Sequence, residues 1–488
     1  MNLWRWSGGG CVALGVLVGT MVRGWPGLGA AATLLALGGW GLLYEPRNIA
    51  ARLAGLLWTT RDFARGWLIT GDIGSGKTSS GIVQLMQQLF RNIPTWGGLC
   101  IDEKGVFWET LTQMAAHHER TGDVLVLEVR PEGDAGDWQP KHRFNLVGDR
   151  TIPNSTYAHM VIDAAQALGQ KNDQSFFREQ AELHIANALE ALEILGYDVS
   201  LENVCQLLTQ EPELSKTIVH LRQVTTSAAL RLADHFEQQL LRAPFEQRSG
   251  VTSTVLNYLR HFIEPDIAEV FCRDSTFRLE ELDAGKIICL LMPHRHQSAR
   301  RYVGVFLKGL VYLHVLRRYN LPAEERARKN LLVIWIDEAQ RFVTASKNHG
   351  EASVVDLVRE ANCAVVLATQ SITSLVAVLG RDIAKVVALN LRNRMEFKSA
   401  DEEDSQEAAG RLGKRMKQKV SFSYGRGGRQ RNVAQEEQSV VPSHELRRLR
   451  PHQCLIVHCR GAHRRRVLPP LLPDGTVASW FRRRWWPF

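Results

Sequence analysis

Paired cysteines are missing from this sequence. The 488-residue chain holds eight cysteines but no Cys-x-x-Cys spacing, and Cys100, Cys289, Cys363 and Cys454 sit inside apolar, strand-like runs. This excludes a disulfide-stapled scaffold and reads as buried, reduced thiols of a cytoplasmic protein. A metal-ligating set of good geometry is lacking too. His452, Cys454, His458 and Cys459 crowd one expected strand, but the adjacent His458 and Cys459 alternate to its opposite faces. They read as strand core, and His294-Arg295-His296 reads as a solvated loop. Disorder is excluded by a 45% hydrophobic content, and the length allows two or three domains. Acid is scarce at one end: residues 392–488 carry 21 Lys and Arg against 10 Asp and Glu, more than the whole chain's excess of +9. That asymmetry points to nucleic acid or an anionic membrane surface, a merely solvated basic face being the alternative.

Charge is absent from Gly8 to Val22 and again from Gly27 to Tyr44, with Arg23-Gly24-Trp25-Pro26 between the two runs. Residues 1–46 are expected to form a transmembrane helical hairpin. The first run is short for a hydrocarbon core of ~30 Å, which needs about 20 residues, and Trp4 and Trp6 would place its end in the interface. Arg5 precedes the hairpin and Arg47, Arg52, Arg61 and Arg65 follow it, so both ends are expected in the cytoplasm. A cleaved signal peptide is the weaker reading, because a second apolar run follows at once. From Tyr44 to Ala64 the chain reads as a juxtamembrane helix.

What the sequence does have is a phosphate-binding loop. Trp67-Leu68-Ile69-Thr70 reads as a buried strand, Gly71-Asp72-Ile73-Gly74-Ser75-Gly76-Lys77-Thr78 fits G-x-x-x-x-G-K-[ST], and Ile82, Leu85, Met86, Leu89 and Phe90 follow at helical spacing. Glycines let the backbone turn its N–H groups inward, Lys77 offers a charge to the β- and γ-phosphates, and Thr78 can hold Mg2+. The ligand implied is ATP with magnesium. A glycine-rich turn exposing a surface lysine is the bland alternative, and the strand and helix flanking the loop argue against it.

Gly98 to Asp102 and Val124 to Glu128 continue the α/β pattern. The region from about Ser155 to Leu241 reads as helix only, and strands return at Lys286 to Met292, Leu331 to Ile336, Ala364 to Gln370 and Cys454 to Val457. Turn-rich, basic sequence separates the last two. The expected class is an α/β P-loop domain in two parts, residues 47–150 and 246–465, around an all-α domain at 151–245, with a basic, aromatic tail at 466–488.

The strand Leu331 to Ile336 ends in Asp337-Glu338. In a P-loop enzyme the first carboxylate orients magnesium and the second polarises the attacking water, although paired acids also suit a plain helix N-terminus. Gln370 ends a neighbouring strand, at the edge where open α/β sheets bind ligands. Taken alone, it would read as a loop glutamine.

In this order of motifs the chain resembles the type IV secretion coupling proteins, the TraD/TraG class of conjugative ATPases related to the FtsK and HerA motors. The carrying residues are the apolar hairpin, Gly71 to Thr78, Ile101-Asp102-Glu103-Lys104-Gly105, the helical stretch, Asp337-Glu338 and Thr369-Gln370, across about residues 8 to 460. The resemblance implies a RecA-like ATPase interrupted by an all-α domain, forming a homo-hexameric ring at the bacterial inner membrane. It assigns Lys77 and Thr78 to ATP and magnesium, Asp337 and Glu338 to the Walker B pair, and Gln370 to sensing the γ-phosphate. Arg65 and Arg359 match arginines thought to reach the nucleotide, the former across the subunit interface.

Glu103 stands where the family usually has proline and Val106 where it has an acid, Phe144-Asn145-Leu146 lacks a usual proline, and almost no loop joins the apolar runs. Periplasmic contacts are therefore not expected, and the chain is read as a member without the long C-terminal extension with which some relatives hold cargo. The implied function is to couple a relaxase–DNA complex or protein cargo to a type IV secretion channel by ATP hydrolysis. Its DNA would be single-stranded and bound with tolerance of sequence. The alternatives are a DNA-pumping ATPase of the FtsK/HerA kind and a cargo receptor that uses ATP only as a switch.

Overall fold

The computed structural model describes residues 48–134, 136–169, 175–346, 350–425 and 428–481. The expected membrane hairpin and the Arg482 to Trp486 run lie outside these. Among the described residues no helix is long and apolar enough to cross a membrane. Two compact units emerge, Met1–Pro94 with Leu391–Phe488, and Thr95–Asn390. In chain order the strands are β1 (Ile49–Leu53), β2 (Leu56–Thr59), β3 (Trp67–Thr70), β4 (Gly97–Ile101), β5 (Val124–Glu128), β6 (Ile287–Leu291), β7 (Leu332–Ile336), β8 (Cys363–Thr369), β9 (Asn393–Glu396), β10 (Lys414–Gly425), β11 (Gly428–Ser439), β12 (Gln453–Val457) and β13 (His463–Val467).

In the first unit the strands follow the order β13-β12-β9-β3. β3 runs parallel to β9, and β12 is antiparallel to both β9 and β13. All four residues of β3 are buried, as its uninterrupted apolar run requires. The edge strand β13 carries Arg464, Arg465 and Arg466, charges that blunt an open edge against further pairing. After the loop the chain winds one wide turn, Lys77–Ile82, into the helix Val83–Asn92. Its Leu85, Met86, Leu89 and Phe90 are buried, as their spacing predicts.

The juxtamembrane helix expected between Tyr44 and Ala64 is instead the antiparallel pair β1–β2 with a short helix, Thr60–Phe63. Ala54 and Gly55 both take positive φ, 51° and 79°, the two-residue turn that matches the twist of paired strands. Trp58 is then fully buried, and its indole N–H donates to Asn393 Oδ1 at 2.8 Å.

The second unit holds the order β8-β7-β4-β6-β5, every adjacent pair parallel. β4, β7 and β8 are buried along their whole lengths. The backbones of β4 and β7 come so close at Gly98 that a Cβ would sit 2.0 Å from the Val333 carbonyl oxygen; only glycine fits. The helix Gln297–Arg317 is buried over most of its length, with Gly304 against Phe342 and Ile101. Helices run from Asn154–Ala167 through Ser175–Ile194, Leu201–Thr209, Glu211–Gln223, Ser227–Phe236 and Phe245–Leu259 to Pro265–Phe271. Their starts are legible: the Ser200 and Thr226 hydroxyls cap two of them, and prolines open two others.

The basic stretch between Gln370 and Cys454 is more ordered than its turn-rich composition predicts. It contains the helices Ile372–Leu379, Arg381–Asn390 and Glu402–Arg411, the strand β9, and the long ribbon β10–β11.

Candidate nucleotide site

The first unit supplies the phosphate loop. Gly71, Gly74 and Gly76 take φ of 151°, 74° and 106°, conformations that side chains with a Cβ rarely adopt. A Cβ on Gly71 would meet Phe397 Cβ at 2.6 Å, and one on Gly76 would meet His452 Nδ1 at 2.8 Å. The Asp72 N–H donates to the Lys398 carbonyl, and its carboxylate accepts from the Ala400 N–H. Ile73 is 83% exposed at the loop's crown, while Ser75 is buried. Lys77 is only 6% exposed, and its ammonium donates to the Gly71 and Asp72 carbonyls at 2.5 and 3.3 Å. A cation is thus held against a turn of positive-φ glycines, the charge and backbone shape that a polyphosphate site needs. Thr78 follows at the start of the wide turn.

Behind this loop stands a brace that nothing in the sequence announces. The His452 N–H donates to the Ser75 carbonyl at 2.8 Å, and its Nδ1 lies 2.8 Å from Ser80 Oγ. His452 itself has φ of 63°, and its ring packs against both Trp480 and Phe481, which also touch each other. Burial holds its imidazole below the ordinary value. The segment after β13 joins in, since the Gln84 and Gln87 amides donate to the Pro469 and Pro473 carbonyls, and the Leu471 N–H to the Ser79 carbonyl.

The second unit has a carboxylate cluster of its own, at the C-terminal ends of its parallel strands. Asp337 and Glu338 follow β7, and the Asp337 N–H donates to the Ile101 carbonyl at the end of β4. Glu338 has φ of 51°, a left-handed conformation that costs a non-glycine residue about 1–3 kcal/mol when tertiary structure enforces it. Two amides orient its carboxylate: Gln340 Nε2 at 2.7 Å and Gln370 Nε2 at 3.3 Å donate to Glu338 Oε2. Gln340 is fixed in turn by the Thr369 hydroxyl, which donates to its Oε1 at 2.9 Å. Glu338 and Gln370 are therefore joined by a hydrogen bond. Gln340 is absent from the residues that the sequence singles out, and its place two residues after Glu338 is the available signal.

Asp102, at the end of β4, is a third carboxylate here. Burial, with a smaller push from Asp337, raises its proton affinity, against the Val106 and Phe107 N–H groups that donate to it. The departure from the family pattern at Glu103 is explained locally. Its carboxylate pairs with Arg301 and accepts from Gln297, while its carbonyl and that of Met292 accept from the buried Arg300 guanidinium. Gly105 leaves room for that guanidinium, since a Cβ would lie 2.9 Å from Arg300 Cζ.

Neither arginine sits at these strand ends. Arg65 precedes β3, among Asp62, His458 and Cys459, at the opposite end of the strand from the loop. Arg359 precedes β8, beside Glu360, at the opposite end from Gln370. His458 Nε2 donates to the Leu57 carbonyl at 2.9 Å and packs on Trp58, and Cys454 is strand core. Among the described residues no group of His, Cys, Asp and Glu is arranged to hold a metal.

Residues 331–451 match the family model described as the TraM recognition site of TraD and TraG. The fold is shared with the bacterial conjugative coupling protein TrwBdeltaN70 in its unbound form, at 16% identity and a TM-score of 0.62, covering 85% of this chain and 86% of that one. The plasmid coupling protein TrwB in complex with the ATP analogue ADPNP matches at 16% and 0.62, over 89% and 91% of the two chains. TrwB with ADP and Mg2+ matches at 15% and 0.60, over the same shares. No curated protein sequence matches the chain. The resemblance to coupling proteins thus rests on a sequence segment and on the fold of both units.

Proposed function

We propose that the protein is a membrane-anchored ATPase that couples a relaxase–DNA complex, or protein cargo, to a type IV secretion channel and drives its transfer. The observation that carries this is the Glu338–Gln340–Gln370 cluster, a water-polarising carboxylate tied to a polar sensor, in a chain with the coupling-protein fold. Solved relatives of that fold hold an ATP analogue, and ADP with Mg2+. The loop amides and Lys77 are suited to the phosphates. Thr78 and Asp337 are the hard oxygen donors that magnesium prefers, and the ion would neutralise charge on the phosphates. Glu338 polarises the attacking water and Gln370 reads the γ-phosphate. The match over residues 331–451 to a recognition site supports a relaxosome-side protein partner.

The working unit in this reading is a ring of copies, a homo-hexamer at the inner membrane with residues 1–46 as its anchor. Arg65 and Arg359 support it. β3, with four residues, spans about 13 Å and β8, with seven, about 23 Å at ~3.3 Å per residue. Each strand separates its arginine from the loop or glutamine at its other end. Arginines supplied in trans contribute roughly 10³ to 10⁵ in rate in other phosphoryl-transfer systems. Mixing Arg65→Ala with Lys77→Ala subunits should restore part of the ATPase activity that each lacks. No recovery after demonstrated co-assembly would end the trans assignment.

The test of the function is turnover against DNA. Purified full-length protein should hydrolyse ATP faster when single-stranded DNA of mixed sequence is added. Slow, DNA-insensitive turnover with tight cargo binding would identify a receptor instead.

A further inference from the structure

The ribbon β10–β11 is the largest feature that the nucleotide site does not use. Its register runs without interruption from Lys414 opposite Ser439 to Gly425 opposite Gly428. Among the described residues neither strand pairs with a third. Twelve residues per strand make an arm about 40 Å long at ~3.3 Å per residue. Every residue from Lys414 to Val420 and from Val433 to Glu437 is exposed. A two-stranded ribbon is marginally stable in water, and its open edges invite pairing, so an arm of this length is built for a partner.

We propose that this ribbon, residues 414–439, grips the phosphate backbone of nucleic acid. The inference rests on the reading of the protein as a DNA-handling motor and names the part of the chain that holds the DNA. Charge selects the partner. The ribbon has seven Lys and Arg against two Glu. Both acids stand near its base, where Glu437 pairs with Lys414 and Glu436 with Lys419. No acid occurs between Val420 and Gln435. Arg415 and Lys417 extend the positive charge along β10, and the register sets Arg431 opposite Phe422 and Arg429 opposite Tyr424. Arginines and aromatic residues interleaved in one stretch of sequence suit sequence-tolerant single-strand binding. A two-stranded ribbon also fits the major groove of a duplex, ~12 Å wide. A second copy of the ribbon is the poorer occupant, because like-charged strands would be brought face to face.

The experiment uses the full-length protein in detergent, with fluorescence anisotropy of mixed-sequence single-stranded and duplex DNA over a salt series. The variant Arg415→Gln/Lys417→Gln/Arg429→Gln/Arg431→Gln removes four ribbon charges. A control removes four exposed charges elsewhere, Lys141→Gln/Lys216→Gln/Arg328→Gln/Lys385→Gln. Each phosphate that is no longer neutralised lowers the slope of log affinity on log salt by about 0.7 for single strands and 0.9 for duplex. The ribbon variant should therefore lose about 3 in slope and more than tenfold in affinity near 0.1 M salt, while the control keeps its slope. An unchanged slope in the ribbon variant, with the parent binding DNA, overturns the proposal. A shift in oligomeric mass or in binding to anionic vesicles alongside that unchanged slope would identify what the ribbon serves instead. A parent that binds no DNA overturns the motor reading and this inference together.

Discussion

The loop unit and the carboxylate unit place function in different atoms. In the first, the candidate site is a stretch of backbone shaped by glycines at positive φ, with the Lys77 ammonium bonded to its carbonyls. In the second they are side chains that hold one another: Glu338 by Gln340 and Gln370, and Gln340 by Thr369. The second unit also buries a complete ion pair. Lys308 donates to Glu351 and to the Phe342 carbonyl, while Glu351 accepts from the Thr344 N–H. Both side chains are at most 1% exposed, and together they pin the segment that follows Asp337-Glu338. A loop made of backbone should fail through shape, and a cluster of side chains through missing partners.

Removing one reacting group gives the largest expected effect. Glu338→Gln should leave ATP binding intact but lower kcat by about 10² to 10⁴, the usual contribution of a positioned base, whereas Lys77→Ala should lose binding first. Fluorescent-nucleotide titration and phosphate release separate the two, and parental turnover in Glu338→Gln would end the assignment. Next comes Lys308→Ala, expected to destabilise by about 3–5 kcal/mol because it strands a buried carboxylate. Thermal melts should show Lys308→Met/Glu351→Leu recovering most of that loss. If the single variant melts like the parent, the pair does not hold this segment.

Gly76→Ala probes shape. It forces a Cβ against the His452 ring at a φ of 106° and should cost roughly 1–3 kcal/mol of nucleotide affinity or stability. Adding His452→Ala should return the steric part but not the backbone part, so full rescue would refute the backbone argument. Gln340→Ala is milder. Glu338 keeps one amide, so kcat should fall about tenfold, or 1.4 kcal/mol, with the KM for ATP unchanged. A change in KM alone would mean that Gln340 does not act through Glu338.

The smallest effect is one of pH, in the helical stretch. Burial, with His235 beside it, holds the His184 imidazole down at about 3 against an ordinary 6.5. The folded form therefore prefers the neutral ring. Its stabilising contribution is full above pH 6.5 and declines as pH falls from there toward about 3. Hydrogen exchange in the helices Ser175–Ile194 and Ser227–Phe236 should quicken at pH 5 relative to pH 7, and His184→Leu should flatten the difference.

The same contrast explains what can be read from the sequence. β3, β7 and β8 are legible because both faces are buried, which leaves uninterrupted apolar runs, and the loop is legible because backbone shape demands glycine at set positions. Gln340 is not, since its partners Glu338 and Thr369 come from different strands and only the fold brings them together. β1–β2 is hidden because Ala54-Gly55 is a weak turn signal inside an apolar run. The ribbon is hidden because only β10 alternates, with Met416, Val420, Phe422 and Tyr424 on one set of positions, while β11 is polar on both and shows no period. His452 reads as strand core because nothing local links it to residues more than 370 positions earlier.

The discontinuity of the first unit also imposes an order of events during synthesis. Thr95–Asn390 is one uninterrupted stretch and can close its sheet as soon as it leaves the ribosome. The phosphate loop cannot be completed then, for its neighbouring strand begins at Asn393 and its brace extends to Phe481. About 400 residues separate loop from brace, and at roughly 5–20 residues per second translation takes on the order of 20–80 s to cover them. Until then β3 lacks its parallel neighbour β9. An interrupted message would release a chain whose middle is folded and whose nucleotide loop is not, a natural substrate for chaperones and proteases.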